Sequence, residues 1–234
     1  MKPNKNIKLF ADGLNINEFE EDFGIEIDGY TFNPSLFKKN GAKDYLEYSK
    51  TIIEKCNSKP VSLEVIADNE KEMLDQAMIL NSLGPNVFVK IPITFTNKEY
   101  TSNVISKLVD RNIKLNITAI FTMEQINIIL PIVKSTSSIL SVFAGRIFDC
   151  GLDANKLMSE ISLVVKKESE CQLLWASPRM PYDYINAQKT GSDIITMQGS
   201  QIKKLKLFNK SPEDYSLETV KQFYEDAKSS GYKI

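Results

Sequence analysis

The sequence of 234 residues contains no histidine. A Ser-His-Asp triad, a histidine-ligated zinc ion and an imidazole general base are therefore excluded. Any acid–base chemistry must use carboxylates, lysine, tyrosine, cysteine or bound water. This absence restricts the possible chemistry more than any other feature of the composition.

Cysteine, long apolar runs and excess charge are also scarce. The three cysteines (Cys56, Cys150 and Cys171) are odd in number and widely spaced, so we expect reduced thiols and a cytoplasmic location. No apolar run approaches the ~20 residues of a spanning helix, and the N-terminal residues lack the apolar region of a signal peptide. With 29 basic and 30 acidic residues, the chain has no basic field for nucleic acid or an anionic membrane. We expect neither as a partner.

What the chain does contain is a regular alternation of strand-like and helix-like segments. The predicted strands are Lys8–Asp12, Asp28–Phe32, Val61–Ile66, Val87–Ile93, Leu115–Ile120, Ile139–Ala144, Gln172–Ala176 and Asp193–Met197. Eight strand–helix units without a linker predict an α/β protein, a single (β/α)8 TIM barrel domain over residues 1–234. A doubly wound open sheet is the alternative, but neither G-x-G-x-x-G nor G-x-x-x-x-G-K-[ST] occurs.

Two of the predicted helices matter below. One is a single helix from about Ser35 to Cys56, and the other is an additional C-terminal helix near Leu217–Ser229. The C-terminal helix could cap the barrel or pack on a neighbouring subunit. A homo-oligomer is thus left open.

The fourth predicted strand carries a lysine, Lys90, in the middle of an apolar β-branched run. An ammonium there must reach the strand end, find a carboxylate or lose its proton. Desolvation favours the neutral amine, which is a nucleophile toward carbonyls. The alternative is a lysine that simply extends to water at the end of the strand.

Further polar residues fall at or just beyond the ends of the predicted strands, where the functional groups of such barrels lie. They are Asp12, Asn33, Ser62, Glu64, Asn116, Thr118, Ser141, Arg146, Ser177 and Arg179. Together with Lys90 they indicate a polar pocket with a nucleophilic amine and an anion site.

Each of these residues also has a purely structural interpretation. Asp12 could cap the first helix, and Asn33 with Pro34 could form a turn. Asn116 and Thr118 could fill the barrel interior. Arg146 could pair with Asp149 on the surface.

Five ordered motifs make the chain resemble the transaldolase family from about Leu9 to Met197. They are Phe32-Asn33-Pro34-Ser35-Leu36, Val89-Lys90-Ile91-Pro92, Asn116-Ile117-Thr118, Ser141-Val142-Phe143-Ala144-Gly145-Arg146-Ile147 and Ala176-Ser177-Pro178-Arg179. The resemblance implies a class I (Schiff-base) aldolase mechanism on a (β/α)8 barrel that needs no metal and no cofactor.

The resemblance also implies a role for each residue. Lys90 would form the iminium with a ketose, Asp12 would act as acid–base during C–C cleavage, and Glu64 and Thr118 would hold the catalytic water. The remaining candidates would bind sugar phosphate substrates. The dihydroxyacetone portion would be bound by Asn33, Asn116 and Ser141, and the phosphate by Arg146, Arg179 and Ser177. Ser62, which shares a strand face with Glu64, is also a candidate for substrate binding.

The resemblance leaves three functions open. Glu64 and Phe143 match the transferases, whereas the fructose-6-phosphate aldolase branch typically has glutamine and tyrosine there. A transferase retains the three-carbon unit as a Schiff base until an aldehyde acceptor arrives. On the match of these two residues we favour transfer of a dihydroxyacetone unit from a ketose phosphate to an aldose phosphate. The alternatives are an aldolase that releases free dihydroxyacetone and a non-catalytic phosphosugar-binding barrel. Phe32 replaces the usual threonine and either narrows the pocket or packs outward on a helix.

Overall fold

The computed structural model describes residues 7–233. Eight parallel strands pair in chain order and close into a barrel through contact between the first and the last. They are β1 (Lys8–Asp12), β2 (Gly29–Thr31), β3 (Val61–Glu64), β4 (Val87–Pro92), β5 (Leu115–Ile120), β6 (Ile139–Val142), β7 (Gln172–Trp175) and β8 (Ile194–Met197). The predicted (β/α)8 barrel is confirmed, and the doubly wound alternative is wrong.

Helices follow the strands and cover the outside of the barrel. They are α1 (Pro34–Lys39), α2 (Tyr45–Lys55), α3 (Glu70–Ser82), α4 (Ser102–Val109), α5 (Met123–Val133), α6 (Ala144–Asp149), α7 (Ala154–Glu168), α8 (Asp183–Lys189), α9 (Gly199–Ile202) and α10 (Pro212–Ser230). Short 3₁₀ turns lie at Ile16–Glu20 and Lys203–Leu207.

The single helix predicted between β2 and β3 is wrong, because the structure has α1 and α2 there. Asn40 turns its side chain to the backbone oxygens of Gly13 and Leu14, each at 3.1 Å. Gly41 then adopts a left-handed φ of 80°, and Asp44 caps α2. These long-range and turn contacts end one helix and start another.

Two further differences concern helix ends. The short helix α6 begins at Ala144, which was predicted as the end of strand six. The C-terminal helix starts five residues earlier than predicted, at Pro212, where Ser211 accepts the backbone N–H of Asp214. A capping serine followed by proline is a typical helix start.

The side chains of the strands separate into two cores. Alternate residues point outward and pack against the helices in one continuous apolar cluster, as Val89 and Ile91 of β4 do. A second, smaller cluster fills the interior of the barrel: Phe10, Phe88, Ile139, Leu174, Ala176 and Ile194. Because this apolar plug occupies the interior, the inward-facing polar residues collect above it, near the C-terminal ends of the strands.

A local irregularity in β5 helps to form this polar end. The pairing of β5 with β6 shifts between Ile117 and Ile120, and Ala119 has a left-handed φ of 59°. This bulge-like shift adds a residue, so Ile120 joins the outer core instead of pointing inward. Thr118 is then the last inward-facing residue of the regular strand.

The C-terminal helix α10 buries no residue against the rest of the chain. Apolar side chains such as Leu217, Val220 and Phe223 are more than half exposed. The homo-oligomer remains a prediction. Among residues 7–233, no helix combines the length and apolar character needed to cross a membrane.

A close backbone approach brings α6 against the loop that follows β7. A Cβ added to Gly145 would lie 1.6 Å from the backbone oxygen of Ser177. Only glycine fits at this position unless one of the two segments moves. The contact holds the two arginine-bearing segments, one with Arg146 and one with Arg179, side by side.

We predict that Gly145→Ala destabilises the protein by about 3 kcal/mol or more, because overlap with backbone cannot be relieved by a rotamer change. Urea unfolding measures the loss. Gly151→Ala is the control: its Cβ would meet open space, but its φ of 75° costs about 1 kcal/mol. Equal losses in the two variants would contradict the steric argument.

Candidate active site

The amine of Lys90 lies at the centre of the polar end of the barrel. The residue is only 5% exposed. Its Nζ is 3.0 Å from Oε2 of Glu64 and donates to the backbone oxygen of Phe32, also at 3.0 Å. The lysine therefore does not extend to water at the strand end. It is held by one carboxylate and one carbonyl.

Asp12 lies near this amine at the end of β1. Thr31 donates to its Oδ1 at 2.7 Å, and Thr31 and Thr196 share a second hydrogen bond of 2.6 Å. Burial raises the pKa of the Asp12 carboxyl, although the charge of Lys90 and the bond from Thr31 act in the opposite direction. Asp12 caps no helix: the first turn after β1 is capped by Asn15. Its carboxylate is thus a stronger base than an ordinary aspartate.

A network of amide and hydroxyl groups begins at Asn116, which pairs with Lys90 in the register of β4 and β5. Asn116 donates to Ser62 at 3.0 Å and accepts from Ser141 at 2.6 Å. Asn116 and Ser62 are fully buried. Thr118 Oγ1 is also buried, and it has no hydrogen-bond partner among the described residues. A buried hydroxyl of this kind is suited to hold a water molecule or a ligand oxygen.

Two guanidinium groups line the opposite rim. Arg146 lies over the ring of Phe143, with 5.1 Å between its Cζ and the ring centroid. Arg179 makes a bidentate ion pair with Asp149, in which Nε donates to Oδ1 at 3.0 Å and Nη2 contacts Oδ2. Asp149 thus pairs directly with Arg179, and the charge of Arg146 adds a weaker attraction to the same carboxylate. The outer N–H groups of Arg179 are not used by Asp149 and can bind an anion.

The loop that carries Arg179 is fixed by a second aspartate. Asp183 is fully buried and accepts the backbone N–H groups of Arg179 at 2.7 Å and Met180 at 3.2 Å. Ser177 has a left-handed φ of 58°, and Gln201 donates to the oxygen of Pro178 at 2.9 Å. These contacts orient the loop toward the cavity.

The cavity enclosed by these groups has a volume of about 260 Å³. Most of the predicted site residues line it: Asp12, Asn33, Lys90, Asn116, Thr118, Ser141, Arg146, Ser177 and Arg179. Ser62 and Glu64 do not line the cavity. Each contacts a residue that does, since Ser62 accepts from Asn116 and Glu64 pairs with Lys90. Asn33 serves two purposes, because its Oδ1 also caps α1 through the N–H of Leu36 at 2.9 Å.

Phe32 points outward. Its ring is fully buried in the outer core, 5.4 Å from the ring of Phe37 in α1. It does not narrow the cavity, so only its backbone oxygen belongs to the site. The cysteines do not belong to it either: all three are free thiols, and burial raises the pKa of Cys56 to about 12.

Several site residues were not predicted from the sequence. Thr31, Thr196, Gln198 and Gln201 line the cavity. The period of two along the strands could have indicated Thr31, two residues before Asn33, and Thr196, two residues before Gln198. Asp149 and Asp183 carry no such signal, since they act from helices outside the barrel.

Comparison with known proteins shows the family of the chain. The family described as Transaldolase/Fructose-6-phosphate aldolase matches residues 9–234. A "Probable transaldolase" of Thermoplasma volcanium is 35% identical over 204 residues, covering 85% of this chain and 87% of the relative. Relatives with the same name come from Methanococcus maripaludis strain C7 (36% identity, 91% and 94% coverage) and Bartonella henselae (31%, 97% and 100%). The chain belongs to the transaldolase/fructose-6-phosphate aldolase family.

Similar solved structures show the fold alone, because their sequence identity is low. A 2,3-dimethylmalate lyase aligns with a TM-score of 0.59 at 10% identity, covering 97% of this chain and 84% of the other. Thiamine phosphate pyrophosphorylase from Pyrococcus furiosus aligns with a TM-score of 0.57 at 11% identity, covering 85% and 91%.

The raised pKa of Asp12 leads to a prediction about stability. The folded protein holds the Asp12 proton to a higher pH than the unfolded chain, whose ordinary value is 3.8. Stability from this group is present below that value and is lost as pH rises through the folded pKa. Asp12→Asn keeps an oxygen for Thr31 but carries no charge. We expect it to raise the free energy of unfolding at pH 7, with no gain near pH 3.

Urea unfolding of both proteins at pH 3 and pH 7 measures this difference. Asp75→Asn, on the exposed surface of α3, is the matched control and should change stability little at either pH. A loss of stability at pH 7 in Asp12→Asn would contradict the prediction.

Proposed function

We propose that this protein transfers a dihydroxyacetone unit from a ketose phosphate to an aldose phosphate through a Schiff base on Lys90. The observation that supports this best is the buried amine of Lys90, which faces a polar cavity and is held by Glu64 and Phe32. Folding alone rarely requires a buried amine at the wall of a polar cavity. A lysine that attacks a carbonyl requires both desolvation and positioning.

In the first step, the neutral amine attacks the ketose carbonyl and forms a carbinolamine. Loss of water then gives the iminium, which withdraws electrons from the adjacent bond. Glu64, 3.0 Å from the amine, is placed to take up and return the protons of this step. The unpartnered hydroxyl of Thr118 is suited to hold the water that is released and later consumed.

In the second step, Asp12 removes the proton of the hydroxyl on the carbon beyond the bond that breaks. The C–C bond cleaves and an aldehyde leaves. The electron pair of the broken bond remains on the lysine-bound three-carbon unit, which becomes an enamine. Because burial raises its pKa, Asp12 is a better base for this task than a solvated aspartate. The reverse sequence with a second aldehyde completes the transfer.

Arg146 and Arg179 are suited to bind the phosphate at the other end of the substrate. Both guanidinium groups line the cavity together with Ser177. Guanidinium donors match the geometry of phosphate oxygens. Asn33, Asn116 and Ser141, nearer the lysine, would bind the hydroxyl groups of the three-carbon unit.

The main alternative is an aldolase that releases free dihydroxyacetone. Release requires water to hydrolyse the enamine intermediate before an acceptor arrives. Glu64 is engaged with Lys90, and Phe143 offers no hydroxyl where the aldolase branch typically has a tyrosine. Both features favour retention of the three-carbon unit and hence transfer.

We predict that Lys90→Met abolishes covalent trapping of fructose 6-phosphate by borohydride, because no other amine faces the cavity among the described lining residues. Intact-protein mass spectrometry reads the adduct. Lys107→Met removes an exposed lysine paired with Glu70 and should trap donor like the wild type. An adduct of the same mass in Lys90→Met would refute the proposed role.

A second prediction separates transfer from aldol cleavage. With fructose 6-phosphate alone, the wild type should keep one three-carbon unit on Lys90. An aldose phosphate acceptor should discharge it, because the acceptor aldehyde reacts with the enamine. Release of free dihydroxyacetone at the rate of donor consumption, without acceptor, would establish the aldolase instead. Coupled assays for dihydroxyacetone and for the transfer product decide between the two.

A further inference from the structure

Tyr45, the first residue of α2, contacts the backbone of Glu64 in two ways. Its hydroxyl donates to the Glu64 oxygen at 2.6 Å and accepts from the Glu64 N–H at 3.1 Å. A helix residue outside the barrel therefore satisfies both backbone groups of a residue at the end of β3. Glu64 is the residue whose carboxylate contacts Lys90.

These two bonds replace a bond of the barrel itself. On β2, the N–H of Tyr30 donates to Pro60, and the N–H of Phe32 donates to Ser62. The next bond in this parallel ladder would run from the N–H of Glu64 to the oxygen of Phe32. Instead, the Glu64 N–H goes to Tyr45, and the Phe32 oxygen accepts the amine of Lys90 at 3.0 Å.

We propose that Tyr45 is a positioning residue for Lys90, an inference that rests on the proposed Schiff-base function. By holding the backbone of Glu64, the phenol keeps this N–H away from the Phe32 oxygen. That oxygen is then free to hold the amine. The same contact fixes the strand end from which the Glu64 carboxylate reaches Lys90.

These contacts fix the direction in which the amine of Lys90 points. The Phe32 oxygen and the Glu64 carboxylate take two of the directions around Nζ, and the remaining one faces the cavity, which Lys90 lines. An amine aimed in this way approaches a substrate carbonyl along one path. A misplacement of about 1 Å can cost on the order of 100-fold in rate.

Tyr45 is itself held rigidly. Its ring lies 4.8 Å from that of Phe37, and Asp44 caps the helix directly before it. Burial raises the pKa of its hydroxyl, so it stays protonated and can donate to the Glu64 oxygen. A fixed neutral phenol can both donate and accept, as the two bonds require.

The test compares Tyr45→Phe with Tyr48→Phe. The Tyr48 ring is also 4.8 Å from Phe37, but its hydroxyl forms no bond with Glu64 within residues 7–233. Amide hydrogen exchange of Glu64 is followed by NMR without substrate. Adduct formation at Lys90 is followed with fructose 6-phosphate and borohydride.

For Tyr45→Phe we expect exchange of the Glu64 amide to be about tenfold faster, because the N–H loses a fixed acceptor and can reach the Phe32 oxygen only in competition with the amine of Lys90. Trapping at saturating donor should be about tenfold slower, with the half-saturating donor concentration within about twofold of wild type. Tyr48→Phe should match the wild type in both measurements.

Unchanged Glu64 exchange in Tyr45→Phe would overturn the inference whatever the sugar. So would unchanged trapping, or equal losses in the two variants, which would indicate general packing. If the wild type itself forms no adduct, the proposed function fails, and this is seen before any variant is compared. The exchange measurement then still decides whether Tyr45 holds Glu64.

Discussion

The structure depends on one buried charge, the amine of Lys90 on an otherwise apolar strand. A lysine that is only 5% exposed needs acceptors within the protein, since removing an ammonium from water costs several kcal/mol. The barrel supplies a carboxylate from β3 and a carbonyl released from the β2–β3 ladder. The apolar plug beneath keeps water from reaching the amine from the other end of the barrel. Acceptors within the protein thus hold the amine at the wall of the cavity.

Several irregular features of the fold lie at the same end of the barrel as this amine. Ala119 and Ser177 adopt left-handed conformations at the ends of β5 and β7, and Gly145 allows two backbones to touch. The β2–β3 ladder gives up a bond at Glu64. Such departures from regular geometry are unfavourable locally, and the packed outer core compensates for them. The strands are regular around the apolar interior cluster and irregular at their C-terminal ends, where the polar groups are positioned.

Charge is balanced within the site. Lys90 faces Glu64 and lies near Asp12, while Arg179 is paired with Asp149 at the rim. Arg146 has an aromatic ring beneath it instead of an acid. The Arg179 guanidinium is therefore oriented by a carboxylate, whereas Arg146 lies over a ring and attracts the same carboxylate only weakly.

Local patterns in the sequence determined the barrel, because eight alternations of period two and period 3.6 permit few other folds. They also identified the residues at strand ends, such as Lys90 and Thr118, since alternation decides which side chains point inward. Only the tertiary structure decided which groups pair: Asp149 with Arg179, and Tyr45 with the backbone of Glu64. These contacts join residues 19 and 30 positions apart through the packing of helices and loops against neighbouring strands, and no local periodicity encodes them.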